Sequence, residues 1–349
     1  MSEHIPFLAS FSPPLAFAVT WLAIAVLLRT GLAKFAMDDP NHRSLHAAPI
    51  PRSGGVAIMA GTLAGWCLVL PSWLWLPLGL AVALATVSLL DDVLDISAGW
   101  RLLTHLLAAS ALAVANLEHY PLWLGLSAML AIVWMTNLYN FMDGSDGLAG
   151  GMALFGFAAY GLAAWWGNDA TFALVAWTIA AAATGFLVFN FHPARIFMGD
   201  AGSVPLGFLA AAFGLLGWQR GLWPWWFAPL VFSPFVVDAS VTLAKRLLRG
   251  EKIWQAHREH YYQRLVRMGY GHRHTALLEY LLMAAAVASA LWGSGLEATA
   301  QTTLLVCWCA VYFVAMRLID IKWVKFNLKN SVEPQRRRGA EAQRKNNEL

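Results

Sequence analysis

Long segments of mostly apolar residues follow one another along most of the chain. Of its 349 residues, 59% are hydrophobic and only 13% are charged, whereas charged residues make up roughly 25% of an average soluble domain. One or two buried cores cannot hold this much apolar surface, and a segment of about 20 apolar residues is long enough to cross a lipid bilayer. The sequence therefore predicts an all-α, polytopic integral membrane protein and argues against a soluble globular enzyme.

Eleven membrane-spanning helices are predicted from these segments, with ten as the alternative. Two segments are weak: the one near 101–117 contains Arg101 and His105, and prolines interrupt the one near 225–247. The predicted helices lie near 13–34, 53–70, 74–90, 101–117, 121–139, 148–166, 170–190, 203–219, 225–247, 276–293 and 302–319.

The positions of Lys and Arg predict the orientation. With the N-terminus outside, the cytoplasmic segments are the connections 35–52, 91–100, 140–147, 191–202 and 248–275 and the C-terminal tail. Of the 24 Lys and Arg residues, only Arg220 then lies on the outer side, which is a strong positive-inside bias. We therefore predict an N-out, C-in bundle with one transmembrane catalytic domain over 1–326 and a basic, disordered cytoplasmic tail over 327–349.

Acidic residues gather where the predicted helices meet the cytoplasm, and asparagines accompany them. Carboxylate and amide oxygens suit Mg²⁺ or Mn²⁺ rather than zinc, and Mg²⁺ is typical of phosphate chemistry. For any one of these aspartates alone, solvation or helix capping is the simpler explanation. The group consists of Asp91, Asp92, Asp95, Asp143, Asp146 and Asp200, beside Asn137, Asn140 and Asn190.

Two glycine-rich loops lie beside these acids. NLYNFMDGSDGLAGG at 137–151 turns into the sixth predicted helix. MGDAGS at 198–203 precedes the eighth, where Ser203 can cap the helix and leave its N-terminus open to an anion. Both loops are predicted to hold phosphate, with ordinary turns and tight helix packing as the alternative. Of the two interpretations, tight helix packing is the more typical one for Gly150 and Gly151.

Basic residues that could meet an anionic substrate occur at 42–55 (HRSLHAAPIPRSGG), at Arg101 and Arg195, and in the loop after the ninth predicted helix. In that loop His257 and His260 are three residues apart, a spacing that can place both on one helix face to bind a diphosphate or assist proton transfer. A plain surface pair is the alternative. The basic residues of the loop are more typical of a contact with anionic lipid; they are Lys245, Arg246, Arg249 and Lys252.

Five ordered motifs together resemble the polyprenyl-phosphate N-acetylhexosamine-1-phosphate transferases. The resemblance covers about 38–265, and the motifs are SLHAAPIPRSGG, LLDDVLD, NLYNFMDGSDGLAGG, NFHPARIFMGDAGS and HREHYYQRL. It implies a helical enzyme of the bacterial inner membrane that transfers a sugar 1-phosphate from a UDP-sugar to undecaprenyl phosphate and releases UMP. The implied partners are these two substrates and membrane lipids, with a homodimer as a further possibility and no nucleic acid.

The resemblance also implies roles for individual residues. Asp91 and Asp92 match the paired aspartates that position or deprotonate the lipid phosphate, and Asp200, together with Asp92, matches the magnesium ligands. Phe197 would stack on uracil. The implied catalytic residues are Asp91, Asp92, Asp143, Asp146 and His260, and the implied substrate-binding residues are Asn137, Asn140, Asn190, Phe197, Arg101, Arg258, His257, His46 and Arg52.

The late loop departs from the common family pattern, since only Arg258 and His260 match it. With this loop, the chain resembles the O-antigen-initiating branch of the family more closely, so the expected sugar is N-acetylfucosamine, N-acetylquinovosamine or N-acetylglucosamine. The alternative is that the chain is a phospho-N-acetylmuramoyl-pentapeptide transferase. Direct displacement by the lipid phosphate is favoured, and an acyl-phosphate on Asp91 or Asp92 stays open.

Three alternatives from other classes are an ion-coupled transporter, an intramembrane aspartyl protease and a histidine-box di-iron desaturase. A transporter should place acids near the bilayer midplane, where we expect at most Asp238. The protease would need two aspartates facing each other within the membrane, and the desaturase about eight histidines, whereas only His257, His260, His272 and His274 cluster here.

Overall fold

The computed structural model describes residues 7–32, 37–38, 49–94, 96–252, 255 and 257–347, with backbone only at 38, 92, 93 and 331–347. This part of the chain is almost entirely helical. The helices are α1 Ser12–Thr30, α2 Gly54–Trp66, α3 Trp75–Leu94, α4 Ala98–Leu117, α5 Leu122–Met142, α6 Leu148–Trp166, α7 Ala170–Asn190, α8 Asp200–Gln219, α9 Phe227–Val231, α10 Ser233–Leu248, α11 Tyr261–Leu265, α12 Gly271–Gly293 and α13 Ala298–Asn347.

The remaining regular elements are short. The chain forms 3₁₀ turns at Phe7–Phe11 and Ser72–Leu74 and a π-helical turn at Val266–Tyr270. Strands β1 (Met37–Asp38) and β2 (Ile50–Pro51) pair antiparallel, with Met37 opposite Pro51. This two-residue pairing is the only strand structure among the described residues, so the predicted all-α class is confirmed.

Nine helices of the described chain are long and apolar enough to cross a membrane, which confirms the predicted polytopic architecture. Two predicted spans correspond to shorter helices. Helix α2 has 13 residues, a rise of about 20 Å against a hydrocarbon core of about 30 Å. The segment predicted near 225–247 is divided into α9 and α10, because Pro234 has no backbone N–H to continue the α9 helix.

Both short segments nevertheless run from one end of the bundle to the other. The backbone of Gly54, at the start of α2, bonds to Phe197 at the end that carries the aspartates, whereas Trp73 stacks on Phe172 at the opposite end. Likewise Trp226 bonds Gln301 at that opposite end, while the far part of α10 reaches the aspartate end. Among the described residues, nine helices are long enough to cross a membrane and α2 is a shorter apolar helix, so the count of eleven helices stays a prediction.

Helix α8 lies at the centre and α13 at the periphery. Helices α6 and α7 pack along each other, α1 packs on α2 and α7, and α8 packs on α3 and α5. Glycine permits close approach at Gly151, where a Cβ atom would lie 2.1 Å from the ring of Tyr280, and at Gly150, where it would lie 2.8 Å from Leu187. Helix packing is thus the role of these two glycines.

Helix α13 continues past the bundle as a single helix through Asn347. The backbone is therefore helical in the segment for which the sequence predicts a disordered tail. Its Lys, Arg, Glu, Gln and Ala residues are good helix formers, and the preceding membrane helix removes the cost of nucleating a new one.

Candidate active site

Two of the predicted aspartates meet at one end of the bundle with an arginine between them. Arg101, in the first turn of α4, places Nη1 2.9 Å from Oδ2 of Asp91 and 3.6 Å from Oδ2 of Asp200. Asp91 lies near the end of α3 and Asp200 begins α8, so three helix ends converge here. The weak predicted helix near 101–117 thus exists, and its charged residue lies in the site.

Asp200 has further polar neighbours. The side chain of Asn140 hydrogen-bonds the Asp200 carboxylate, and the Arg52 guanidinium contributes a second favourable charge. Ser203 donates from Oγ to Oδ1 of Asn140 at 2.7 Å, which leaves the Asn140 amide NH₂ to face the carboxylate. The predicted capping role of Ser203 is wrong: α8 begins at Asp200 after the N-cap Gly199, so Ser203 lies inside the first turn and orients Asn140 instead.

The first-loop motif and the loop before α8 form one backbone structure. Phe197 donates from its N–H to the carbonyl of Pro51 at 2.7 Å, Gly54 donates to Phe197 at 2.9 Å, and Gly55 donates to Met198 at 2.8 Å. Gly199 has a φ of +71°, and a Cβ atom there would lie 2.3 Å from the carbonyl oxygen of Arg52. This pairing fixes the backbone that leads into Asp200 and leaves Phe197 partly exposed.

Asn190 joins two of the predicted motifs. Its Oδ1 accepts from the N–H of Gly147 at 2.9 Å and its Nδ2 donates to the carbonyl of Ile196 at 2.9 Å. The residue is buried, and this geometry holds the loop after α5 against the loop before α8. Its predicted contact with substrate stays a prediction.

Asp143 and Asn137 lie on α5 or at its end. Asp143 is partly buried, and its charge acts on the buried hydroxyl groups of Tyr139 and Tyr262. Asn137 donates to the carbonyl of Val133 at 2.7 Å and hydrogen-bonds His105. Both residues therefore line the same end of the bundle, beside Asn140.

The late loop is anchored by Asp238 of α10. Its carboxylate accepts from the backbone N–H groups of Tyr261 and Tyr262 at 2.9 and 3.0 Å, and His260 Nδ1 lies 3.2 Å from Oδ1. Asp238 thus holds the start of α11, and His260, which is 3% exposed, belongs to that anchor. The Tyr262 hydroxyl reaches the carbonyl of Phe141 at 3.3 Å, so α11 leans on the end of α5.

His257 stacks near His260, with ring centroids 4.8 Å apart. Burial, together with the charges of His260 and Arg246, lowers the pKa of His257 to about 4. The imidazole is therefore neutral at pH 7 and would meet a substrate as a hydrogen-bond partner rather than as a cation. Arg258 is partly exposed, and its carbonyl accepts from Arg267 at 3.2 Å.

The basic residues of the late loop pair within the protein. Arg246 lies 3.0 Å from both Glu251 and Glu259, and Arg249 also bonds both glutamates. Lys245 pairs with Asp320 of α13 at 2.6 Å. These three residues therefore have acidic partners within the protein, on the loop for Arg246 and Arg249 and on α13 for Lys245. Their contact with anionic lipid stays a prediction.

Several predicted residues fall outside this description. His46 and Asp95 lie outside the described residues, as does the Asp92 side chain. Conversely, Ser145, His192 and His272 were not among the residues predicted for this site, although His192 lies within the NFHPARIFMGDAGS motif. Expecting at most Asp238 within a predicted helix was also wrong, since Glu279 lies within α12.

The atoms near Asp200 that can bind a metal ion are the carboxylate oxygens of Asp91 and Asp200, since Oδ1 of Asn140 accepts from Ser203. Such a set fits a hard divalent cation and not zinc. In the part of the chain that the structure describes, no group of three or more His, Cys, Asp or Glu residues is arranged to hold a metal by itself. Mg²⁺ in phosphate chemistry is typically held by one or two carboxylates together with phosphate oxygens and water.

Fold and site together define a polytopic membrane protein with a polar, oxygen-rich site of acids and arginines at one end of its helical bundle. Residues 74–217 match the model of glycosyl transferase family 4. The chain is 30% identical over 292 residues to a probable undecaprenyl-phosphate N-acetylglucosaminyl 1-phosphate transferase of Bacillus subtilis (strain 168), covering 76% of this chain and 81% of that protein.

Two further relatives also match this chain over most of its length. An undecaprenyl-phosphate alpha-N-acetylglucosaminyl 1-phosphate transferase of Yersinia pestis is 27% identical over 302 residues, 80% of each chain. A phospho-N-acetylmuramoyl-pentapeptide-transferase of Synechococcus sp. (strain JA-3-3Ab) is 33% identical over 285 residues, 73% of this chain and 79% of that protein. The chain belongs to the polyprenyl-phosphate sugar-1-phosphate transferase family, which confirms the resemblance seen in the motifs.

Proposed function

We propose that this protein transfers N-acetylhexosamine 1-phosphate from a UDP-sugar to undecaprenyl phosphate, giving undecaprenyl-diphosphate-sugar and UMP at the cytoplasmic face of a bacterial inner membrane. The observation that carries the proposal is the group formed by Asp91, Arg101 and Asp200, with Asn140 and Arg52 beside it, at one end of the bundle. The names of the relatives support the same reaction.

The acceptor needs little activation. A phosphate monoester has a second pKa near 6, so the lipid phosphate is mostly a dianion at pH 7 and is already a nucleophile. Asp91 is bound to Arg101 at 2.9 Å, and this pairing lowers its own nucleophilicity. We therefore favour direct displacement by the lipid phosphate over an acyl-phosphate on Asp91.

The main task of the site is to bring two anions together. Arg101 and Arg52 offset the repulsion between the lipid phosphate and the diphosphate of the donor, and stabilise charge on the leaving UMP. Asp200, Asp91 and Asp92 would hold Mg²⁺. When bound, Mg²⁺ supplies charge neutralisation and Lewis-acid polarisation of phosphate oxygens.

An apolar cavity provides room for part of the isoprenoid chain. Its volume is about 370 Å³, and it lies between α5, α8 and the α9–α10 segment. It extends from Trp218, near the opposite end of the bundle, to Leu138, which is next to Asn137 on α5. A lipid in this cavity would therefore approach the polar site along α5.

We propose N-acetylglucosamine as the first sugar to test, because it is named for the Bacillus and Yersinia relatives. N-acetylfucosamine and N-acetylquinovosamine remain proposals from the departure in the late loop, as does entry of the product into O-antigen synthesis. A muramoyl-pentapeptide donor is the second candidate, since the Synechococcus relative carries that name.

The test is transfer of labelled sugar phosphate to undecaprenyl phosphate by the purified, lipid-replete protein. Donors are the UDP-linked forms of these three N-acetylhexosamines and of N-acetylmuramoyl-pentapeptide, each with Mg²⁺ and with EDTA. We expect metal-dependent, lipid-linked product from one N-acetylhexosamine donor, and release of label when UMP is added back. The Asp200→Asn variant should give none. Absence of product with every donor from folded protein would reject the proposal and favour transport.

A further inference from the structure

A cluster of one buried carboxylate, one buried hydroxyl and two imidazoles lies beside the residues used above. Oδ2 of Asp146 is 2.6 Å from Nδ1 of His192 and accepts from the backbone N–H of Ala194 at 3.1 Å. Oδ1 of Asp146 lies 3.6 Å from Nδ1 of His272. The same Nδ1 is 2.9 Å from Oγ of Ser145. One carboxylate therefore has polar partners on both of its oxygens.

The cluster is shielded from water to different degrees. The side chains of Asp146, His272 and His192 are 8%, 15% and 38% exposed. The two imidazole rings stack in parallel, with centroids 5.7 Å apart and an angle of 9° between their planes. Because a buried carboxylate is costly unless it is paired and hydrogen-bonded, both histidines contribute to keeping Asp146 in place.

Three separate segments meet in this cluster. Ser145 and Asp146 belong to the loop between α5 and α6, His192 belongs to the loop between α7 and α8, and His272 lies in the first turn of α12. Positive φ values of 99° at Gly269 and 69° at Gly271 bend the chain immediately before His272. These bends let α12 begin with an imidazole directed at the α5–α6 loop.

The α7–α8 loop, residues 191–199, leads directly to the candidate active site. Asp146 holds its first part through His192 and Ala194, Asn190 holds Ile196, and the first-loop motif holds Phe197 and Met198. Asp200 follows at once. A change in the anchoring of Asp146 would therefore be transmitted along a short loop to Phe197 and Asp200.

We propose that His272 is a positioning residue. With Ser145 it completes the environment of Asp146 and so fixes the 191–199 loop, which carries Phe197 and ends at Asp200. The consequence for catalysis rests on the proposed function, because it assumes that this loop binds the UDP-sugar. The consequence for the loop itself does not.

The test compares His272→Ala, His272→Asn and a control, His274→Ala, in the full-length protein. The Asn side-chain amide, which can both donate and accept, can replace the hydrogen bond of the imidazole Nδ1 in either direction. His274 lies on the same helix but is exposed and contacts only its own turn, at the carbonyl of Tyr270. Ser145→Ala removes the 2.9 Å contact while keeping His272, and serves if His272→Ala does not fold.

Two readouts are needed. Hydrogen–deuterium exchange of peptides covering 191–199 reports the loop directly; we expect faster exchange in His272→Ala, a smaller increase in Ser145→Ala, and none in His274→Ala. Steady-state rates with UDP-N-acetylglucosamine and undecaprenyl phosphate report catalysis. In His272→Ala, kcat/KM for the donor should fall by about 10–100-fold, while KM for the lipid stays unchanged and His272→Asn recovers most of the loss.

The outcomes are distinguishable. Unchanged exchange of 191–199 in His272→Ala overturns the proposal at any rate of turnover. If His272→Asn restores wild-type exchange of 191–199 but not kcat/KM, the imidazole acts on the reactants themselves and not through the loop, which also overturns the positioning role. If the wild-type protein transfers no sugar, the proposed function fails, while the exchange measurement still decides whether His272 fixes the loop.

Discussion

The contact between α2 and α8 offers a direct test of how the site is held. A Cβ atom at Gly55 would lie 2.3 Å from the backbone nitrogen and 2.4 Å from the Cα of Gly202, and 2.7 Å from the carbonyl oxygen of Met198. Carbon atoms in contact are normally about 3.5–4.0 Å apart. The substitution Gly55→Ala therefore requires the two helix ends to separate by about 1 Å, and backbone atoms cannot rotate aside as a side chain can.

This displacement falls next to Asp200. Overpacking of this kind costs about 1–3 kcal/mol of stability, and a misplacement of about 1 Å at reacting groups can cost up to about 100-fold in rate. We expect Gly55→Ala to lower kcat/KM by roughly 10–100-fold, equivalent to about 1.4–2.7 kcal/mol of transition-state stabilisation, and to lower the apparent melting temperature.

The assay is initial-rate transfer with a thermal melt of the same preparation in detergent. Gly79→Ala is the matched control, because Gly79 is also in a helix but a Cβ atom there meets nothing within 4 Å. This control should keep full activity and gain about 0.5–1 kcal/mol from reduced backbone freedom. Equal activity of Gly55→Ala and Gly79→Ala would refute the claim that the α2–α8 contact positions Asp200.

Three further predictions concern charge. Arg101→Ala should slow transfer by about 100-fold, and Arg101→Lys by less, since the charge stays but the paired geometry is lost; initial rates at saturating substrate check this. The pKa of His257 is about 4 in the folded protein, against 6.5 for a free histidine. Between these pH values the unfolded chain binds a proton that the folded protein does not, so the stability of the fold should decrease as the pH falls from about 6.5 to 4. Melting curves of His257→Gln should show a weaker decrease, and an identical one would contradict the assignment. Asp320 accepts from Lys245 and Arg264 at 2.6 and 2.8 Å, and Arg264 is only 7% exposed. Asp320→Asn should therefore cost about 1–3 kcal/mol, seen as a lower melting temperature.

Much of the site's composition could be predicted from the sequence, because phosphate chemistry at a membrane surface demands unusual residues. Asp91, Asp200 and Asn140 stood out as polar residues at the ends of apolar segments, where an unpaired charge is costly. Arg101 stood out as a charged residue in a weak predicted helix and as a basic residue that could meet an anionic substrate. The roles of Asp238 and Ser203 were not predictable, because each depends on a partner far away in sequence: Tyr261 and Asn140, respectively.

The sequence by itself determined the class of fold and the distribution of the segments. A long apolar segment in lipid must be helical, because its backbone polar groups have to be hydrogen-bonded within the segment itself. The ordered motifs indicated the family. The tertiary structure decided which partners these polar residues have. The contacts of Asn190, Asp146 and His260 anchor loops, because hydrogen-bond partners are set by the packing of helices and not by spacing along the chain; their roles with substrate stay predictions.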